Sequence, residues 1–237
     1  MLDNLVIAVS NMSLSEDFTN ALREISERGF APSGPVRTAL AQEIVINPAL
    51  RSHKFRRHAV AEKANAWTLG QIGSLLKPGE LRTKMHDHAA DEYKHFQIFE
   101  ALSEINEYPS THDFDFLLEK EKSFVASFDG DIVGFICDTL AAEVRTYFSL
   151  SAYVEPLRFL ETQVQRKYNK ALTKVLDDEA RHIRYTAHYI DKWFRDGLEL
   201  LPQLQQSFEV YNSSDWSDVR DTAEFIISHK DRNIASE

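Results

Sequence analysis

Apolar residues recur along this chain at steps of three and four, and the strict alternation that a half-buried strand requires is missing. Phe55, Ala59, Ala66, Leu69 and Leu76 make one such stripe, and Leu81, Met85, Ala89, Phe96, Phe99 and Leu102 a second. Ile136, Leu140, Tyr147 and Leu150 make a third, and Leu172, Val175, Leu176, Ile183 and Ile190 a fourth. Pro32, Pro35, Pro48, Pro78, Pro109, Pro156 and Pro202 fall between the stripes. Proline costs about 3 kcal/mol inside a helix, so these positions read as boundaries. The pattern predicts short helices near 15–29 and 36–46, then long helices over about 53–76 and 80–107. A linking helix around 114–125 follows, then long helices over about 130–154 and 163–195, and two shorter ones near 202–211 and 215–230. The fold class is all-α. One long and two shorter connections between the four long helices suit an antiparallel bundle with a single crossover. The whole chain, 1–237, reads as one domain with its bundle core over about 53–195 and additional helices at both ends.

Composition leaves this picture in place. With 237 residues the chain is long enough to bury a core without disulfides or a structural metal. Charge narrows the partners: a net charge of -10 argues against nucleic acid, whose phosphates demand clustered Lys and Arg. Arg51, Lys54, Arg56 and Arg57 form one short basic cluster, read as a solvated helix start rather than a docking site. The single cysteine, Cys137, excludes an intrachain disulfide and suits a reducing cytoplasm. No apolar run approaches the roughly 18 residues of a membrane span. Met1–Ser10 lacks the basic start of a signal peptide, so the expected location is the cytoplasm.

Candidate chemistry enters with two short motifs. Glu92-Tyr93-Lys94-His95 and Glu179-Ala180-Arg181-His182 are both Glu-x-x-His, and residues three apart share a helix face. Each Glu is preceded by an Asp, and Asp91-Glu92 and Asp178-Glu179 are the only Asp-Glu dipeptides in the chain. From the residue counts, chance predicts about 0.05 Asp-Glu-x-x-His motifs in a chain of this composition. Two are present. Glu92 and His95 lie on the second apolar stripe, and Glu179 and His182 on the fourth. Carboxylates on a core face are costly unless paired or metal-bound, and a buried metal ion removes that cost.

Two further carboxylates fit the same scheme. Glu143 is framed by the third stripe and precedes Glu179 by 36 residues; Glu62 is framed by the first and precedes Glu92 by 30. Both separations correspond to half a helix, a turn and half of the next helix. Glu43 competes with Glu62, on a face with Val36, Leu40 and Ile46, but it stands too near Pro48 for the middle of a long helix. Asp91 and Asp178 have a supporting role open to them, because a metal-bound imidazole commonly donates its other N–H to a carboxylate. In a symmetric site Asp91 would serve His182, and Asp178 would serve His95. The plainer alternative leaves both on the solvent side.

Taken together, Glu62, Glu92-x-x-His95, Glu143 and Glu179-x-x-His182 resemble the ligand set of the ferritin-like di-iron carboxylate proteins, over about 53–195. The resemblance implies a ferritin-like four-helix bundle holding two iron ions, with manganese as the alternative metal. The four glutamates would bind or bridge the ions and the two histidines would be terminal ligands. It also implies an O2-dependent oxidoreductase, a monooxygenase or oxidase, acting on a small organic substrate. Electrons would come from an external ferredoxin or flavin reductase. Storage ferritins resemble a shorter chain; the flanking helices here would wall a substrate pocket or form a homodimer interface. Rubrerythrin-like peroxidases carry a Cys-x-x-Cys iron site that one cysteine cannot build. Arylamine N-oxygenases add a histidine where Val175 stands, whereas aldehyde-deformylating oxygenases have a similar length and the same six ligands. The tRNA hydroxylases share the ligand logic but suit an acidic chain poorly, and radical-generating reductase subunits are larger. Three other functions stay open: a manganese catalase or peroxidase, a ferroxidase or iron-binding protein without organic substrate, and a bundle without metal.

Neighbouring residues receive plainer readings. Core packing accounts for Tyr93, Tyr147 and Tyr185 more simply than a radical or pocket role. Burial does the same for Trp67 and Trp193 against electron transfer. His58, one turn before Glu62, is a candidate seventh ligand, while His86 and His88 read as surface or supporting residues. Thr146 is a candidate gate for oxygen.

Overall fold

The computed structural model describes residues 14–29, 33–104 and 114–234. They form eight α-helices and a short 3-10 turn, with no strand among the described residues. In chain order these are α1 (Glu16–Gly29), α2 (Gly34–Ile46), α3 (Pro48–Leu75), α4 (Glu80–Glu104) and α5 (Phe114–Ser127). After them come α6 (Ile132–Val154), the 3-10 turn Pro156–Phe159, α7 (Thr162–Arg195) and α8 (Leu201–Ile234). The all-α class and the four long helices are as the hydrophobic pattern predicts. Met1–Ser10, Pro32, Pro109 and the predicted helix end at 105–107 lie outside the described residues.

Contacts gather the chain into two compact units: Ile44–Gly130, and the residues up to Glu43 together with those from Asp131 onward. In the first unit, α3 starts at Pro48, five residues before the predicted start. Asn47 caps it, its side-chain oxygen accepting from the N–H groups of Ala49 at 3.0 Å and Leu50 at 3.2 Å. Proline at the first helical position gives up only an N–H that has no partner in the helix anyway. A turn at 76–79 reverses the chain into α4. The Ser52 hydroxyl donates to the Ser103 carbonyl at one end of this antiparallel pair. At the other end Gly73 lets the helices close: a Cβ there would stand 3.3 Å from that of Met85. Between these points Phe55 stacks on Phe99, with ring centroids 5.8 Å apart. The helix α5 lies on α3, where the Thr68 hydroxyl donates to Glu121 at 2.6 Å. The expected solvated basic cluster does not hold for Arg51 and Lys54, which are buried. The Arg51 guanidinium instead donates to the Val45 carbonyl, satisfying an acceptor in the last turn of α2.

In the second unit α6 pairs antiparallel with α7, and α8 packs on α6 and α1. Asp131 caps α6, accepting from the Gly134 N–H at 2.9 Å. Past the end of α7, Gly197 takes a φ of 93°, the left-handed conformation that glycine adopts without strain. The two helices expected near 202–211 and 215–230 are one continuous helix, α8. No proline or glycine follows Pro202 within α8 to break it. Asp215 instead points inward, fully buried, where it forms an ion pair with Arg37 of α2. It also accepts from the Ser33 hydroxyl at 2.8 Å and lies 3.7 Å from the Arg145 guanidinium.

Candidate functional site

The unit Ile44–Gly130 brings Glu62 of α3 together with Glu92 and His95 of α4. The spacing along α4 puts Glu92 and His95 on one face, and the antiparallel register sets Glu62 opposite them. Each offers a ligand atom, and these atoms lie within 4.8 Å of one another. All three side chains are buried: Glu62 is 3% exposed, Glu92 2% and His95 0%. His95 Nδ1 stands 3.5 Å from Glu92 Oε1. Burial alone would push the Glu92 carboxyl up. Polar contacts with Glu62, His88 and His95, and the charge of His88, outweigh burial and hold it well below its usual range.

The other unit repeats the arrangement. Its buried group is Glu143 of α6 with Glu179 and His182 of α7. His182 Nδ1 lies 3.4 Å from Glu143 Oε2 and 3.7 Å from Glu179 Oε2. These N···O separations exceed the 2.7–3.2 Å of a good hydrogen bond. Two donors about 2.1 Å from one ion, at about 90–110°, are themselves about 3.0–3.4 Å apart. These buried His and Glu side chains could hold a metal ion. Carboxylate and imidazole donors suit several divalent metals. Cys137 is no competing donor, because burial first and then the charges of Asp138 and Asp131 push its thiol up to about 12.

Of the two readings for His88, surface or supporting residue, burial rules out the first: it is 1% exposed, with Nε2 3.3 Å from Glu92 Oε1. Four residues apart on α4, the two side chains share a face, and that spacing was the available signal. Glu43 is half-buried, and its predicted face turns outward, with Val36 43% and Ile46 47% exposed. Asp91 and Asp178 are both buried, against the solvent-side alternative. Their acceptor oxygens meet cations of their own helices, Lys94 at 2.9 Å for Asp91 and Arg181 at 2.7 Å for Asp178.

Tyr93 is 49% exposed, so neither core packing nor a pocket role describes it. It stands one position past Glu92 and is turned about 100° from the ligand face. Tyr147 and Tyr185 are half-buried, and burial followed by the charge of Asp177 pushes the Tyr147 hydroxyl up. His58, Trp67, His86, Thr146 and Trp193 are likewise half-buried. His58 packs on the Phe99 ring at 5.3 Å between centroids. A cavity between α1 and α8, lined by Ala21, Ile25, Arg28 and Phe208 among others, includes none of the candidate ligands. No helix among the described residues is long and apolar enough to cross a membrane. No protein-family model, curated protein or solved structure matches this chain.

Proposed function

We propose that this chain is a non-haem di-iron oxygenase or oxidase of the ferritin-like type, with the six buried donors as its iron ligands. The observation that carries this reading is the doubled geometry. Each Asp-Glu-x-x-His motif lies on a buried helix face, with a further buried glutamate supplied by the antiparallel neighbour. Glu62, Glu92, Glu143 and Glu179 provide the negative charge, and His95 and His182 the neutral donors. Four carboxylates balance the charge of two divalent ions, whereas without a cation each unit buries two acids side by side at high cost. Bound iron would supply O2 activation, and electrons would come from an external ferredoxin or flavin reductase.

The protein's own contribution is placement and dryness. The ligands sit on long helices rather than loops, which fixes their positions. Their burial keeps bulk water from the reacting atoms. A small organic molecule is the substrate class that suits such a site. Oxygen uptake tests the reading. Iron-loaded, chemically reduced protein should consume O2 rapidly, and a Glu143→Ala, Glu179→Ala double variant should not. Equal uptake by the two proteins would overturn it. Brisk peroxide disproportionation by manganese-loaded protein, with no O2 uptake by the iron form, would replace it with a catalase.

A further inference from the structure

The two motifs differ at one buried position. On α4 the sequence is His88-x-x-x-Glu92-x-x-His95, and on α7 it is Val175-x-x-x-Glu179-x-x-His182. Val175 is fully buried and His88 is 1% exposed, so neither is a surface accident. His88 Nε2 and His95 Nδ1 approach the same oxygen of Glu92, at 3.3 Å and 3.5 Å. The nearly equal distances place His88 in the same relation to the carboxylate as the imidazole of the motif itself.

We infer that His88 is a further metal ligand, and that it makes the two metal positions unequal. This rests on the di-iron reading. An imidazole binds one ion through one nitrogen, so three imidazoles cannot divide equally between two ions. Imidazole is the stronger donor toward the later divalent metals, and as a neutral ligand it adds affinity without adding charge. The nitrogen-richer position therefore fills first and holds its ion longer. Val175 supplies no donor, so nothing on α7 restores the balance.

The test is an anaerobic Co(II) titration of the full chain, followed by absorbance and by proton spectra of the cobalt form. Each bound imidazole gives one exchangeable, strongly shifted N–H resonance. Wild-type protein should take up two ions in two resolved steps and show three such resonances. His88→Val, which copies α7, should show two, with one step weakened by about tenfold or more. His88→Gln keeps a side chain able to hydrogen-bond Glu92 and separates the two roles. It should behave as His88→Val does if His88 is a ligand. Two ions bound with only two shifted resonances in all three proteins would overturn the assignment of His88 and leave the di-iron reading standing. No Co(II) uptake by the wild type would overturn both.

Discussion

A carboxylate buried against a guanidinium anchors α8 to α2, and its removal has a defined cost. Asp215 is fully buried beside Arg37, so Asp215→Ala leaves an uncompensated charge in the interior. Breaking a buried pair of this kind costs about 3–5 kcal/mol, to be read as a fall in the urea midpoint. A loss under about 1 kcal/mol would mean that the pair is solvated. Asp138 is the opposite case. Burial first, and then the charge of Asp131, push its carboxyl up, the Ser207 hydroxyl acting the other way. A raised folded-state pKa means that the folded protein disfavours the ionised form. The penalty is absent below the unfolded pKa and complete above the folded one. Asp138→Asn should therefore stabilise the protein at neutral pH, with the gain vanishing as pH falls through the acidic range. A gain that is constant with pH would contradict this. At this scale the paired motif made Glu92, His95, Glu179 and His182 legible in the sequence. It also steered attention away from His88, because a repeat shows what two segments share, and His88 is where they differ.

Helix boundaries were legible to within a few residues of the prolines, and helix continuity was not. Asn47-Pro48 is a cap followed by proline at the first helical position, and the hydrophobic stripe beyond it did not reveal how early α3 starts. Asn47→Ala should cost about 1 kcal/mol through the lost bonds to the Ala49 and Leu50 N–H groups, measured by urea denaturation. No change would show that water replaces the cap without loss. The continuity of α8 has a tertiary cause: the burial partners of Asp215, which are Arg37, Ser33 and Arg145, lie far away in sequence. Ser213 is exposed and carries no packing of its own, so Ser213→Pro isolates continuity. In an unbroken helix the proline should cost about 3 kcal/mol and reduce the helical circular-dichroism signal. Two separate helices with a break at 212–214 would accommodate it at little cost.

The chain carries a net charge of -10, its one cysteine is buried with its thiol pushed up to about 12, and no described helix is long and apolar enough to cross a membrane. The all-helical class was legible because strand alternation is missing along the chain and prolines bound the long segments. What the extra helices at either end do was not legible, since pocket shape depends on packing between segments distant in sequence. The central claim is that two metal ions neutralise the buried glutamates, and metal stoichiometry tests it most directly. Protein reconstituted anaerobically with Fe(II) and passed through a desalting column should retain about two irons per chain, as the charge of four buried carboxylates requires. Glu62→Ala, Glu143→Ala protein should retain fewer. Retention of no iron, or the same retention by the variant, would contradict the account.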